Sequence, residues 1–145
     1  MKKYLVMSII VFSLIALSIF YRIMITPVAR TKSDAPSKHI VVRIPLHAWS
    51  FEPDHIVAVA GEALSITVIN EDDIEHGFAI EEYRVHKSIP AFSISTLPTL
   101  TFSKEGKLQF YCSEICGDGT AERGEHKGDK RGHFDMTGEL NVLSK

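Results

Sequence analysis

The 145-residue chain carries 16 lysines and arginines against 18 acidic residues, a formal net charge of −2, and 45% of its residues are hydrophobic. That length holds one domain and an appendage and leaves no room for a second catalytic domain. Charges of both signs are spread along the chain, so it offers no basic face to nucleic acid, and that class of function is excluded. Only two cysteines occur, Cys112 and Cys116. Four residues apart, they are too local to staple a fold, which leaves disulfide, metal or redox chemistry.

After Lys2 and Lys3 the stretch from Tyr4 to Tyr21 carries no charge. As a helix its 18 residues reach about 27 Å, enough to span a bilayer with help at the ends. Arg22 can snorkel, and Ile23, Met24 and Ile25 extend the apolar surface until Thr26 and Pro27 end it. Residues 1–25 are therefore expected to form one transmembrane anchor. A cleaved signal peptide fits less well, because the run exceeds a usual signal core and no small-x-small cleavage site follows. Lys2 and Lys3 are balanced by Arg22, Arg30 and Lys32, so charge alone does not set the orientation. Residues 26–38 combine two prolines with mixed charge, the composition of a tether.

From His39 to Lys145 the sequence breaks into short β-branched and aromatic segments separated by turn residues, with no sustained helical period. Leu64, Ile66 and Val68 alternate with Ser65 and Thr67. Leu108 and Phe110 alternate with Gln109 and Tyr111, and Leu140 and Val142 flank Asn141, the mark of half-buried strands. Strands are predicted at about 39–44, 47–51, 55–60, 63–70, 76–82, 99–103, 107–112 and 138–143. Turn signals separate them at Glu52-Pro53-Asp54, Gly61-Glu62 and Lys104-Glu105-Gly106. The expected class is all-β, a small sandwich or barrel.

Chemistry concentrates near the carboxyl terminus, in Y-C-S-E-I-C (Tyr111 to Cys116) and H-F-D-M (His133 to Met136), with H-G-F (His76 to Phe78) upstream. Thiolate, imidazole and thioether together select a soft, redox-active metal, and copper fits that set best. Zinc seldom uses methionine. Two thiolates on one loop can each bridge two copper ions, with one imidazole per copper and weak axial ligands completing a compact cluster. Each piece has a bland reading: a hydrogen-bonded strand-end His76, a core Met136, a local Cys112–Cys116 disulfide. What favours copper is their joint order on an all-β domain.

The sequence resembles the CuA domain of cytochrome c oxidase subunit II. The resemblance runs from W-S-F-E-P (Trp49 to Pro53) through Gly61-Glu62 and N-E-D-D-I-E-H-G-F (Asn70 to Phe78) to Y-C-S-E-I-C-G (Tyr111 to Gly117), and C-S-E-I-C is very specific for that family. It implies a cupredoxin-like Greek-key β-sandwich over residues 39–145 behind one amino-terminal helix, as in compact bacterial-type subunits. It further implies bridging thiolates from Cys112 and Cys116, one imidazole each from His76 and His133, a weak thioether from Met136 and the backbone carbonyl of Glu114. In some members the carboxylate of this glutamate also reaches a magnesium ion at the interface with subunit I, an expectation extended here to Glu114. The resemblance places an aromatic of the Trp49 segment beside the copper, a candidate port for electrons.

One departure is large. The family has three residues between the second cysteine and H-x2-M, whereas here sixteen intervene, Gly117 to Gly132. With four acidic and four basic residues and five glycines, the insertion is expected to be a flexible surface excursion whose ends return to the site. His126 within it is an alternative ligand to His133, without the x2-Met partner.

The implied function is that of a non-catalytic, electron-accepting subunit of a haem-copper terminal oxidase. It would take single electrons from a cytochrome c or small copper protein and pass them to the haem of subunit I. The domain is then expected outside the plasma membrane on a single-pass anchor, amino terminus inside. Rival readings are a CuA protein of a nitric or nitrous oxide reductase or a separate shuttle; a membrane-anchored copper chaperone or thiol–disulfide protein; and a subunit that has lost copper.

Overall fold

The structure, a computed structural model, describes residues 38–145 together with residues 13, 15, 17 and 18. Those four are helical and exposed, and they belong to the first of two compact units, Met1–Asp34 and Ala35–Lys145. The expected anchor at 1–25 and tether at 26–38 lie almost wholly outside the described residues. Among the described residues no helix is long and apolar enough to cross a membrane.

Among the described residues the second unit shows eleven strands. They are β1 (Lys38–Ile44), β2 (His55–Val59), β3 (Ala63–Asn70), β4 (His76–Ile80), β5 (Val85–Ile89), β6 (Ile94–Thr96), β7 (Leu100–Thr101), β8 (Gly106–Tyr111), β9 (Asp118–Thr120), β10 (Lys130–Gly132) and β11 (Thr137–Leu143). Single 3-10 turns at Glu81–Tyr83 and His133–Asp135 interrupt them. One sheet runs β1-β3-β6, with β7 also on β3, and the other runs β2-β11-β8-β4-β5. Two pairings are parallel: β1 on β3, with Ile40 opposite Ile66 and Val42 opposite Val68, and β2 on β11, with Ile56 opposite Leu140. Parallel neighbours cannot be joined by a tight turn, so the chain crosses repeatedly between sheets. The result is the expected all-β sandwich.

The alternation read in the sequence decides which faces meet. Val42 and Ile44 of β1 and Leu64, Ile66 and Val68 of β3 are buried against Ile56, Phe78, Ile80, Phe110, Leu140 and Val142 of the other sheet. At the centre Phe51, Phe78 and Phe110 form a triangle with ring centroids 5.4, 5.3 and 5.1 Å apart. Each fully buried aromatic contributes about 1.5–3 kcal/mol of transfer free energy, and the edge-to-face contacts add to it.

The predicted strand at 47–51 is not a strand. Pro45 carries no N–H for a ladder, and His47 and Trp49 have φ of 50° and 45°, left-handed values that break an extended run. Ala48, Trp49, Ser50 and Phe51 are nonetheless buried, so their apolar character reflects a loop packed into the core. It is pinned by the reciprocal bonds Arg43 N–H to Glu52 O and Glu52 N–H to Arg43 O, both 2.8 Å. The strand predicted at 99–103 shrinks to two residues. β5 and β6 were not predicted, because the middle of β5 and both ends of β6 are exposed and such strands carry little periodic apolar signal.

Replacing Phe110 by Ala should cost about 3–5 kcal/mol in denaturant unfolding, the penalty for emptying a buried aromatic site. Val57, 42% exposed on β2, should change stability by less than about 0.5 kcal/mol on the same substitution.

Candidate metal centre

Three neighbouring strands of the five-stranded sheet, β4, β8 and β11, bring their ends to one edge. His76 opens β4, Cys112 follows the last residue of β8, and Met136 precedes β11. The Cys112 N–H donates to Met136 O at 3.0 Å, tying the cysteine loop to the H-x2-M segment. In that frame the two sulfurs lie 3.7 Å apart and each has its own imidazole. His76 Nδ1 is 3.9 Å from Cys112 Sγ, and His133 Nδ1 is 3.7 Å from Cys116 Sγ. The Glu114 carbonyl oxygen stands 3.2 Å from Cys112 Sγ. Met136 is fully buried in the same cluster as both cysteines. The residues singled out in the sequence therefore converge, Glu114 through its backbone.

Both cysteines are free and buried, and their protonation is shared. The Cys112 thiol is pulled well below the ordinary range by a hydrogen bond from Cys116, against the opposing effect of burial, and further by His76 and the Gly77 N–H, 3.2 Å away. Cys116 is pushed up, first by its hydrogen bond to that thiolate and then by burial. In such a pair a charge on one sulfur disfavours a charge on the other, a repulsion that a bound cation would relieve. Burial opposes a charge on His76, but hydrogen bonds to Cys112 and Asp72 outweigh it and raise its pKa. The donor set is two thiols, two imidazoles, a thioether and a carbonyl. It fits a soft, redox-active ion, and copper suits it.

Sequence reasoning missed the residues that orient His76. Asp72 is fully buried, and its Oδ2 lies 2.9 Å from His76 Nε2, leaving Nδ1 for the sulfur side. Its other oxygen accepts the backbone N–H groups of Asp73 (2.9 Å) and His47 (3.2 Å). Asn70 shapes this turn by donating to Ile74 O and Pro90 O at 2.8 and 2.9 Å while accepting the Asp72 N–H at 2.9 Å. The signal was present as an acid four residues before the histidine in N-E-D-D-I-E-H. Gly77 is required by close approach, since a Cβ there would meet Ser113 Oγ and lie 2.6 and 2.9 Å from the Ser113 and Glu114 backbone nitrogens.

The insertion is a surface excursion whose ends close at the site, His133 N–H on Gly117 O, as expected, but it carries an ordered hairpin. β9 and β10 pair as an antiparallel hairpin, with Arg131 opposite Gly119, and it folds back over the 47–52 loop. The Glu122 N–H donates to His47 O (3.0 Å) and the Glu125 N–H to Glu52 Oε1 (2.8 Å), while Ala121 is buried. Polar residues that looked like solvent-facing filler are bonded to a loop distant in sequence. His47 fastens the edge, with Nε2 3.1 Å from Asp73 and Nδ1 3.4 Å from Glu122. His126 sits beyond β9, Nδ1 3.8 Å from Asp129 Oδ2, and makes no contact with either sulfur. Trp49 is only 8% exposed beneath the hairpin, so it is no open port. The outer edge of the site is instead marked by a groove of about 890 Å³ lined by half-buried His133 together with Ile115 and Phe134, each 92% exposed.

A family model described as "Cupredoxin-like domain" matches residues 14–121, ending before His133 and Met136. Among solved structures, reduced auracyanin from Roseiflexus castenholzii superposes with a TM-score of 0.56 at 14% identity, over 74% of this chain and 98% of that one. A chain of a heme-copper terminal oxidase dimer superposes with a TM-score of 0.52 at 19% identity, over 94% of this chain and 97% of that one. Auracyanin B gives 0.53 at 14% identity, over 74% and 90%. The search of curated proteins finds no match.

Because Asp72 orients the His76 imidazole, Asp72→Ala should weaken copper affinity by about 10–100-fold if that ring is a ligand, measured by competition with a chromophoric chelator. A second expectation concerns pH. The hydrogen bond to Asp73 holds the His47 pKa above its ordinary 6.5, burial opposing and Glu122 adding. The ion pairs it makes are thus fully present below 6.5 and lost as pH rises through the raised value. The hydrogen-exchange protection of the Ala121 amide should fall across that upper window, and His47→Ala should abolish the pH dependence.

Proposed function

The chain belongs to the cupredoxin-like domain family, and from that premise we propose that it is an electron carrier with a dinuclear copper centre, of the subunit II type found in haem-copper terminal oxidases. The observation that carries the reading is the pair of buried sulfurs 3.7 Å apart, each with its own imidazole. A mononuclear blue-copper site uses one thiolate, and the second cysteine would have no work there. Cys112 and Cys116 would hold the metal as bridging thiolates, with His76, His133, Met136 and the Glu114 carbonyl completing the set. Copper so held supplies one-electron redox chemistry.

The chain's own groups do the rest. Asp72 fixes the orientation of His76. Burial of the sulfurs and of Met136 excludes water, and the strand-end hydrogen bonds limit ligand movement when charge changes. Half-buried His133, flanked by exposed Ile115 and Phe134, offers the short path to a partner's redox group. The partners supported by this reading are a cytochrome c or small copper protein as donor and a haem-bearing subunit I as acceptor, a reading that also suits the likeness to a chain of a heme-copper oxidase dimer. It carries with it an extracytoplasmic site on a single-pass plasma-membrane anchor at 1–25, and Glu114 as the residue nearest a magnesium ion at the subunit I interface.

Reconstituted protein should bind two copper ions per chain and, oxidised, show one unpaired electron shared between them. Cys112→Ser or Cys116→Ser should each destroy that shared-valence signal. His133→Ala should disrupt it and Met136→Leu should mainly shift the potential, while His126→Ala should leave it intact. A stoichiometry of one, with a single-copper hyperfine pattern, refutes the proposal.

A further inference from the structure

Cys116 and His133 stand at opposite ends of the sixteen-residue insertion. In a loop of that length two ligands would drift independently unless something ties them together, because loop closure alone confers no fixed separation. The structure shows what ties them. The buried Trp49 indole N–H donates to Cys116 O at 2.9 Å. The Trp49 carbonyl accepts Arg131 Nε–H at 3.2 Å, and the same guanidinium donates through Nη2 to Asp135 O at 2.6 Å. Asp135 lies between His133 and Met136, and its carboxylate accepts the Gly132 N–H at 2.9 Å. The His133 N–H closes the base of the hairpin on Gly117 O at 2.9 Å.

The ring itself is clamped. Gly119 of β9 lies so close that a Cβ there would be 2.7 Å from the indole, and His47 stacks near it at 6.4 Å and 24°. Trp49 holds a left-handed φ of 45°, which a bulky residue adopts only when its surroundings impose it.

We propose that Arg131 and Trp49 are positioning residues of the metal centre: the guanidinium fork bridges the Trp49 carbonyl, hence Cys116, to the Asp135 carbonyl, hence His133 and Met136. The insertion is then a working part of the site, restoring by cross-bracing the fixed separation that a three-residue loop enforces through its length. Arginine suits the task because one planar group presents several donors in a rigid fork, which lysine does not. This rests on the copper reading above for its consequence, though the brace itself is built from protein groups alone.

Trp49 is the chain's single tryptophan, so its emission reports the brace directly in copper-free, full-length protein. Arg131→Ala should red-shift that emission. Loaded with copper, it should change the hyperfine pattern and shift the potential while keeping the metal stoichiometry of the wild type. Arg131→Lys should recover part of each change. Glu52→Ala, which frees the far turn of the hairpin from Glu125 without touching a ligand arm, should lower Tm and move neither readout. The proposal is overturned if Arg131→Ala lowers Tm as Glu52→Ala does and leaves emission, hyperfine pattern and potential unchanged. If Arg131→Ala does not fold, Trp49→Phe, which keeps an aromatic ring and removes the donor, must alter the copper signals, and unchanged signals refute the brace. If the wild type takes up no copper, the functional reading falls, and the emission of Arg131→Ala or Arg131→Lys still decides the brace.

Discussion

Two thiols held 3.7 Å apart inside a protein oppose each other's ionisation, and the rest of this structure is arranged around that constraint. Ionised together and unneutralised, two buried sulfurs would repel strongly in a low-dielectric interior. The protein aims donors at Cys112, the Gly77 N–H among them. Such a site is electrostatically incomplete in a way that a soft cation completes. The same burial that makes the thiols uncomfortable keeps water away from them.

Support extends outward in layers. The end of β3 supplies Asn70, whose side chain organises the following turn, and that turn delivers Asp72 to His76. Asp72 in turn accepts the backbone N–H of His47, and His47 reaches Glu122 of the insertion. The site, the buried 47–52 loop and the hairpin thus form one connected polar network beside an aromatic core. Connected buried hydrogen bonds of this kind help to hold geometry.

The insertion changes meaning once its contacts are known. Its composition is that of a solvated loop, rich in glycine and in charges of both signs. In the fold two of those glycines serve close contact: Gly119 packs closely on Trp49, and Gly124, with φ of 81°, lies against the Glu52 carboxylate. Trp49 consequently loses its place as a surface port, and the exposed edge passes to His133, Phe134 and Ile115.

What the sequence alone determined was chemistry and class. Strand alternation in 63–70, 107–112 and 138–143 marked an all-β core, because period-two burial is a local property of an extended chain. The types and order of His76, Cys112, Cys116, His133 and Met136 marked a soft metal, because ligand preference belongs to the side chain itself. Only the tertiary structure decided that 47–51 is a buried loop, where Pro45 and two left-handed residues defeat an apolar pattern. It alone folded the insertion onto Trp49. Those outcomes depend on contacts between residues far apart in sequence, Trp49 with Cys116 and Arg131 above all, and no local period or spacing encodes which distant carbonyl a guanidinium will reach.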